Sequence, residues 1–254
     1  MKKTLLFFSL FFTCISLNAQ ETISVMSYNL RFGQLASMDS IANFISEKNP
    51  DLVALQECDW ATYRENALRQ NGVRFINVLA YDTGMFGLFA RTINYKKGYY
   101  GIGILSKYPI IRSERKLLPN SRNGGEPRAM LICEVELPSG QRLTFVCTHL
   151  TVKSSELRER QLAFINKTLA HISGPVIIAG DMNSKPDSKE IQKGFEGWTQ
   201  LTDMSTKTFS STEPRVKIDY IAGKPKGIFS LISTEVCSDV MLSDHLPVIS
   251  RISF

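Results

Sequence analysis

The sequence predicts a single large α/β domain. Its 254 residues suit one such domain, and a composition of 43% hydrophobic and 21% charged residues is ordinary for a soluble globular protein. Segments with the alternation of β-strands are interspersed with amphipathic helical segments along the chain. No repeat, low-complexity tract or long linker divides them, so we expect one shared hydrophobic core.

The first nineteen residues differ from the rest of the chain. Two lysines make a short basic start, residues 4–17 are apolar and uncharged, and Ala19 offers a small residue at a cleavage position. This is the layout of a secretory signal peptide, and the apolar run is too short for a comfortable membrane span. We expect cleavage after Ala19, a mature domain of residues 20–254, and a secreted or periplasmic protein. A lipoprotein lipidated at Cys14 is the alternative, although the residues before Cys14 make a poor lipobox.

The charge balance of the mature chain is mildly basic. Without the two leader lysines, 28 basic residues face 24 acidic ones. This balance fits a phosphorylated substrate but falls short of the basic stripe typical of nucleic-acid-binding proteins. No later stretch is long and apolar enough to cross a bilayer. We therefore expect no transmembrane segment, and we expect a monomer.

Hydrophobic periodicity places the elements in order. Residues 37–48 repeat apolar side chains at helical spacing and stop at an Asn-Pro pair. Residues 129–137 and 142–150 form a predicted hairpin around a Ser-Gly turn. Segments 76–98 and 112–127 match neither period, and we expect loops that carry substrate contacts. The predicted helices span residues 37–48, 59–70 and 155–172. The predicted strands span residues 22–30, 51–56, 100–106, 129–137, 142–150, 176–179, 217–222 and 246–252.

Four cysteines follow the leader: Cys58, Cys133, Cys147 and Cys237. They lack the paired spacing of a zinc site. Secretion would permit a disulfide, and Cys133 could face Cys147 across the predicted hairpin. Buried free thiols are the reading we favour.

Side chains that bind metals or transfer protons stand where the predicted strands end or begin. Strands that end in such groups at one edge of a sheet build a polar cluster in a concave site. Asp219 is the most telling, because Ile218 and Tyr220 flank it and a carboxylate in an apolar strand is costly unless it is paired. Each of the others taken alone could be a helix cap, a turn residue or a structural histidine. The full set is Asn29, Glu57, His149, Asp181, Asn183, Asp219, Asp244 and His245.

The order of these groups resembles the endonuclease/exonuclease/phosphatase superfamily. That superfamily includes deoxyribonuclease I, exonuclease III, bacterial sphingomyelinases and inositol-polyphosphate 5-phosphatases. The most specific signals are Gly-Asp-Met-Asn-Ser-Lys-Pro at 180–186 and Ser-Asp-His-Leu-Pro-Val at 243–248, with support from residues 101–106 and 126–128. The resemblance runs from about Ile23 to the C-terminus and is closest to secreted bacterial metal-dependent hydrolases.

The resemblance implies a four-layer sandwich, in which two mixed β-sheets are flanked by helices and the site lies at one end. It also implies a divalent cation, Mg²⁺ or Mn²⁺, held by Glu57 with help from Asn29, and a hard cation does prefer oxygen ligands. Asp244 is expected on the metal side or as a partner of His149. A second metal near Asp181 and Asp244 is the alternative to a one-metal site.

The same resemblance assigns roles in hydrolysis. The metal, His149 and Asn183 offset the negative charge of the phosphate oxygens. Arg128 and Tyr100 are candidate phosphate contacts, and Tyr99 is the alternative to Tyr100. Arg128 could instead be an exposed partner of Glu126. Either Asp181 or His245 activates the attacking water, with His245 oriented by Asp219. The sequence leaves that choice open.

We expect hydrolysis of a phosphate ester or phosphodiester with a small or lipid-like substrate. The enzymatic alternative is a secreted nuclease acting on DNA or RNA. Arg31 argues against it, because exonuclease III-type nucleases often carry an acidic residue there. The feature in its favour is one basic and aromatic cluster at 95–100. A membrane-binding aromatic hairpin would suit a sphingomyelinase, but segment 86–89 is a weak candidate that could be a strand. A catalytically inactive phosphate-binding module is a third reading, and the complete set of polar groups argues against it.

Overall fold

Two six-stranded mixed β-sheets and four short α-helices make up the domain. The computed structural model describes residues 20–121 and 124–254, and the predicted leader lies outside the described residues. The strands are β1 (Thr22–Asn29), β2 (Leu52–Trp60), β3 (Phe86–Tyr95), β4 (Gly98–Ser106), β5 (Ile110–Leu117), β6 (Ala129–Glu136), β7 (Arg142–His149), β8 (Val176–Asp181), β9 (Thr199–Gln200), β10 (Asp219–Lys224), β11 (Ser230–Val236) and β12 (Val248–Ser253). The helices are α1 (Met38–Lys48), α2 (Phe75–Thr83), α3 (Ser155–Leu169) and α4 (Lys189–Gly194).

The strands are ordered β11-β12-β1-β2-β4-β3 in the first sheet and β5-β6-β7-β8-β10-β9 in the second. One apolar cluster joins the sheets and includes Val25, Ile102, Phe145, Ile177 and Ile221. Further clusters pack α1 and α2 against the first sheet, and α3 and α4 against the second. The predicted four-layer α/β sandwich is therefore confirmed.

The first predicted helix shows how the sequence specifies its ends. Ser37 caps α1 by accepting a hydrogen bond from the N–H of Ser40. Asn49 ends the helix with a left-handed backbone conformation, which asparagine tolerates better than most residues. Ile41 and Ile45 are buried, as the helical spacing predicted.

The predicted helix at 59–70 is wrong. Strand β2 continues to Trp60, and turns and a single 3-10 turn at Leu68–Gln70 follow it. Both carboxylate oxygens of Asp59 are bonded by Arg64, at 2.6 and 2.9 Å. Such local side-chain bonds stabilise a turn in place of a helix.

The predicted loops at 76–98 and 112–127 are also wrong, because they contain α2, β3 and much of β5. Strands β3 and β5 are edge strands of their sheets. Edge strands commonly carry charged side chains that discourage further pairing, so their alternation is weak in the sequence. The 86–89 segment is accordingly part of an edge strand, with Phe86 half exposed.

All four cysteines of the described residues are buried free thiols, as expected. In the β6–β7 hairpin, Cys133 pairs with Phe145 and Cys147 pairs with Leu131. Burial raises the pKa of both thiols to about 12. The disulfide alternative is therefore wrong.

Within the described part of the chain, no helix combines the length and hydropathy that a membrane span requires.

Candidate active site

The polar groups predicted from the strand ends meet at one edge of the two sheets. Strands β1 and β2 are parallel, which aligns Asn29 with Gln56. Strands β7 and β8 are also parallel, which aligns His149 with Asp181. Strand β10 is antiparallel to β8 and starts with Asp219 opposite Asp181. The topology therefore brings residues from distant parts of the sequence to one place.

Asn29 connects the two sheets. Its Nδ2 donates hydrogen bonds to Oε1 of Glu57 and to Oδ2 of Asp181, each at 3.2 Å. Its Oδ1 accepts the backbone N–H of Arg31 at 3.0 Å. Asn29 therefore aligns the two carboxylates.

Glu57 lies in a bulge of β2. The pairing with β4 shifts register between Leu55 and Cys58, and Glu57 has a φ of 56°. A bulge redirects a side chain out of the regular alternation of a strand. Here it places the carboxylate beside Asn29. Burial raises the pKa of Glu57, and the hydrogen bond from Asn29 opposes that rise.

Asp219 and His245 form the contact predicted from the sequence, although they are 26 positions apart. Nδ1 of His245 lies 3.0 Å from Oδ2 of Asp219. The hydroxyl of Thr208 donates to the same oxygen at 2.6 Å, and the ring of Phe209 lies 4.8 Å from the imidazole between centroids. The contact is confirmed, whereas its part in catalysis stays a prediction.

Asp181 lies at the centre of the cluster. Its Oδ2 is 3.4 Å from Nε2 of His149 and 3.7 Å from Nε2 of His245. Its Oδ1 accepts the backbone N–H of Asn183 at 2.8 Å, which is the Asx turn that the sequence allowed. The side chain of Asn183 donates to the carbonyl of Leu150 at 3.0 Å. Asn183 is thus held beside Asp181.

Arg128 sets the tautomer of His149. Nη1 of Arg128 is 2.9 Å from Nδ1 of His149, and a guanidinium can only donate. Nδ1 must therefore accept, and the neutral ring carries its hydrogen on Nε2, toward Asp181. Burial and the charge of Arg128 hold the pKa of His149 well below its ordinary value. His149 is therefore a neutral donor.

The two predicted phosphate contacts lie beside this cluster. Arg128 is buried and also pairs with Glu126 at 2.9 Å, so it is not the exposed partner that the alternative described. Tyr100 is buried as well. Burial and the nearby charge of Glu57 raise the pKa of Tyr100 well above its ordinary value. Its phenol is therefore a hydrogen-bond donor at neutral pH.

Burial and charge act in opposite directions on the central acid–base groups. Burial disfavours charge on His245, but the carboxylates of Asp219 and Asp181 outweigh it and raise the pKa to about 10. Burial raises the pKa of Asp181 to about 7, while the charge of His245 opposes that rise. The imidazolium form of His245 and the carboxylate of Asp181 stabilise each other.

Asp244 does not hold His149, contrary to one of the two predicted placements. Nη1 of Arg31 lies 2.8 Å from Oδ2 of Asp244. A guanidinium at this distance engages the carboxylate, while His149 contacts Arg128 and Asp181 instead. Arg31, noted in the sequence only as a departure from nucleases, therefore has a structural role.

Two groups of ligand atoms suit a divalent cation. The carboxylates of Asp181 and Asp219 and the imidazole of His245 offer atoms that lie within 4.8 Å of one another. The second group is the carboxylate of Glu57, which Asn29 aligns with Asp181. Oxygen donors of this kind match a hard cation, so the residues fit the implied metal.

Sequence reasoning missed two residues that support Asp219. Thr208 lies eleven positions away, and nothing in the pattern linked its hydroxyl to the carboxylate. Nζ of Lys217 donates to the backbone carbonyl of Asp219 at 3.0 Å. Burial lowers the pKa of this lysine to about 8. The sequence did contain a signal for Lys217, because a lysine in an apolar segment two residues before Asp219 is unusual.

Comparisons with known proteins show which family the chain resembles. A model of the "Endonuclease/Exonuclease/phosphatase family" matches residues 26–245. The uncharacterized protein YbhP of Escherichia coli K12 is 25% identical over 244 residues, covering 91% of this chain and 94% of YbhP.

Many solved structures share the fold, and two of them illustrate the likeness. The mannosyl-6-phosphatase Bt3783 of Bacteroides thetaiotaomicron is 17% identical with a TM-score of 0.72, covering 91% of this chain and 100% of that one. The catalytic domain of human Nocturnin with a bound sulfate anion is 20% identical with a TM-score of 0.71, covering 92% and 93%.

Proposed function

The chain belongs to the endonuclease/exonuclease/phosphatase family, and we propose that it hydrolyses a phosphate ester or phosphodiester with the help of a divalent cation. Members of this superfamily are hydrolases acting on phosphoester bonds. The observation that carries the proposal is the cluster of Asp181, Asp219 and His245, which Asn29 links to Glu57.

We propose Mg²⁺ or Mn²⁺ as the cation, with Glu57 as its principal ligand. Asp244 is a further candidate ligand, although Arg31 neutralises part of its charge. A second cation at Asp181 and Asp244 is the alternative. When bound, the cation would offset the charge of phosphate oxygens.

The chain's own donors would bind the phosphate. His149 presents Nε2–H, and the guanidinium of Arg128 and the phenol of Tyr100 lie beside it. Asn183 would add its amide. Preorganised donors of this kind stabilise the negative charge on the phosphate oxygens in the transition state.

Asp181 and His245 would handle the proton of the attacking water. Nε2 of His245 is 3.7 Å from Oδ2 of Asp181, so both can reach one water molecule. Asp219 orients the imidazole through Nδ1 and stabilises its charged form. We propose that the three side chains act as one unit, in which the carboxylate of Asp181 accepts the proton while His245 is charged, and neutral His245 is the alternative acceptor.

A small or lipid-like phosphate ester is the substrate class we favour. Bt3783, which shares the fold, is named as a mannosyl-6-phosphatase, a phosphatase of a sugar phosphate. Nocturnin holds a sulfate, an anion of the same shape as phosphate. The alternative is a nuclease, and the basic and aromatic residues at the β3–β4 turn favour it. An inactive phosphate-binding module would not need the Asp219–His245 pair.

A hydrolysis screen tests the proposal. Purified protein with Mg²⁺ or Mn²⁺ is assayed on phosphomonoesters, phosphodiesters, sphingomyelin, inositol phosphates and plasmid DNA. His171 is exposed near the far end of the domain, so His171→Ala is the matched control for His245→Ala. We expect turnover by the wild type and the control, and a loss of about 10²-fold or more in His245→Ala. Equal activity of both variants, or no turnover of any substrate by the wild type, contradicts the proposal.

A further inference from the structure

We propose that a groove beside the site binds a second phosphate group of the substrate. This inference rests on the proposed function and narrows its substrate class. The groove has a volume of about 560 Å³ and lies at the turn between β3 and β4. We call it the turn groove. Its lining residues are Trp60, Ala61, Arg74, Asn94, Tyr95, Lys96, Lys97, Gly98 and Tyr99.

The turn groove is strongly cationic. Three of its nine lining residues are basic, and none of these nine described residues is acidic. The nearest ionic partner is Glu65, whose Oε1 lies 3.6 Å from Nζ of Lys96 with both side chains well exposed. An exposed pair of this kind contributes little energy, so the charge of Lys96 stays available to a ligand.

Aromatic rings hold two of the cations in place. Cζ of Arg74 lies 5.7 Å from the centre of the Trp60 ring, and Nζ of Lys97 lies 5.7 Å from the centre of the Tyr63 ring. Cation–π contacts restrict these long side chains without neutralising them. The groove therefore presents fixed positive charge, which suits an anion.

The turn itself holds lysines at an energetic cost. Tyr95 pairs with Gly98, so Lys96 and Lys97 form a two-residue hairpin turn, and both have positive φ, 43° and 70°. Such turns favour Asn-Gly, because glycine has no Cβ to clash with the backbone at positive φ and asparagine tolerates that conformation better than most residues. Two lysines at these positions lower the stability of the turn and are better explained by a ligand.

The groove lies next to a candidate phosphate contact. Tyr95 lines the groove, and its ring lies 6.4 Å from that of Tyr100, the candidate phosphate contact. Along β2, Trp60 follows Glu57 by three residues. A second phosphate on the same substrate would reach Lys96 and Lys97. The group could be a monoester on a polyol or a diester in a nucleotide chain.

Paired substrates test the inference. The ratio of kcat/KM for a two-phosphate substrate to that for its one-phosphate relative is measured in two series, inositol 1,4-bisphosphate against inositol 1-phosphate, and pTpT against TpT. Lys96→Gln combined with Lys97→Gln should lower the ratio about tenfold in the series that matches the natural substrate. The series in which the ratio falls shows whether the second phosphate belongs to a polyol or to a nucleotide chain.

Lys167→Gln combined with Lys226→Gln is the matched control, since both lysines are exposed, Lys167 lies in the last turn of α3, and Lys226 follows the end of β10 that is remote from Asp219. We expect this control to leave the ratio within about twofold of the wild-type value. An equal fall in both double variants would indicate general charge attraction and overturn the inference, as would no fall in either.

A binding measurement separates this inference from the proposed function. Inorganic tripolyphosphate is titrated by calorimetry into the wild type and both double variants. We expect the affinity to fall about tenfold only when Lys96 and Lys97 are changed. Equal affinities would overturn the inference even if hydrolysis is found. If the affinity falls only in the Lys96 and Lys97 double variant but no substrate is hydrolysed, the proposed function is contradicted and this inference is not.

Discussion

Asp219 illustrates how one residue can indicate a site. A buried carboxylate is costly unless a partner offsets it, and here His245 and Thr208 contact the carboxylate while Lys217 donates to the backbone carbonyl of the same residue. The sequence predicted the cost and the partner histidine. It could not predict Thr208, because the contact depends on how a long loop folds back over β10.

The paired role of Asp219 and His245 gives the first prediction. Asp219→Asn should lower kcat by about 10²-fold or more with little change in KM, because it disturbs proton transfer more than substrate binding. Steady-state kinetics on the best substrate of the screen measures both constants.

Because the two residues act as a unit, combining Asp219→Asn with His245→Ala should cost little more than His245→Ala alone. His171→Ala serves again as the control. Losses that are fully additive would show that the two side chains act independently.

Glu57 gives a second prediction at this scale. Glu57→Gln should abolish cation-dependent turnover while the protein stays folded, because a neutral amide attracts a hard dication weakly. Activity is measured across a Mg²⁺ series, with circular dichroism as the check on folding. Near-native activity at low Mg²⁺ would exclude Glu57 as the principal ligand.

At the scale of elements, β8 shows how close strand packing supports the site. A Cβ added to Gly180 would lie 2.0 Å from the backbone oxygen of Thr148 in β7, so the strands would have to move apart. His149 pairs with Asp181 directly beyond this point. Glycine is therefore required for the site geometry.

We predict that Gly180→Ala destabilises the protein by about 1–3 kcal/mol and lowers kcat, as overpacking does in well-packed interiors. Gly174→Ala is the matched control, because its added Cβ would meet its nearest neighbour at 3.9 Å. Urea unfolding measures the free energy of unfolding of both variants, and steady-state kinetics measures their kcat. Equal stability of the two variants would contradict the packing argument.

The elements also show what periodicity can and cannot predict. Central strands such as β1, β7 and β8 have apolar side chains on both faces and were predicted. The edge strands β3, β5, β9 and β11 were not predicted as strands, because they carry exposed polar residues and short pairings. The cationic turn between β3 and β4 was visible as a cluster, but the groove it lines depends on Trp60 and Arg74 from elsewhere.

At the scale of the whole molecule, each of the two sheets contributes side chains to the site. The first sheet supplies Asn29 and Glu57, and the second supplies His149, Asp181 and Asp219. The hydrogen bond from Asn29 to Asp181 joins the two halves. The strand-end pattern predicted these residues. It could not predict that Asp244 pairs with Arg31 and not with His149, because that contact depends on side-chain geometry.

Location is a prediction for the whole chain. We propose that the mature protein begins at Gln20 and is found in periplasmic or extracellular fractions, because the leader has the layout of a signal peptide. Intact-mass measurement of the purified native protein checks this. A mass that retains residues 1–19, or acyl chains on Cys14, would contradict it.

Attack of water on phosphorus at the cluster of Asp181, Asp219 and His245 is tested most directly by isotope labelling. The best substrate is hydrolysed in ¹⁸O-labelled water with the divalent cation, and the products are analysed by mass spectrometry. We predict one labelled oxygen in the phosphate product at each turnover and none in the alcohol. Label in the alcohol would place bond cleavage between carbon and oxygen and contradict the proposed mechanism.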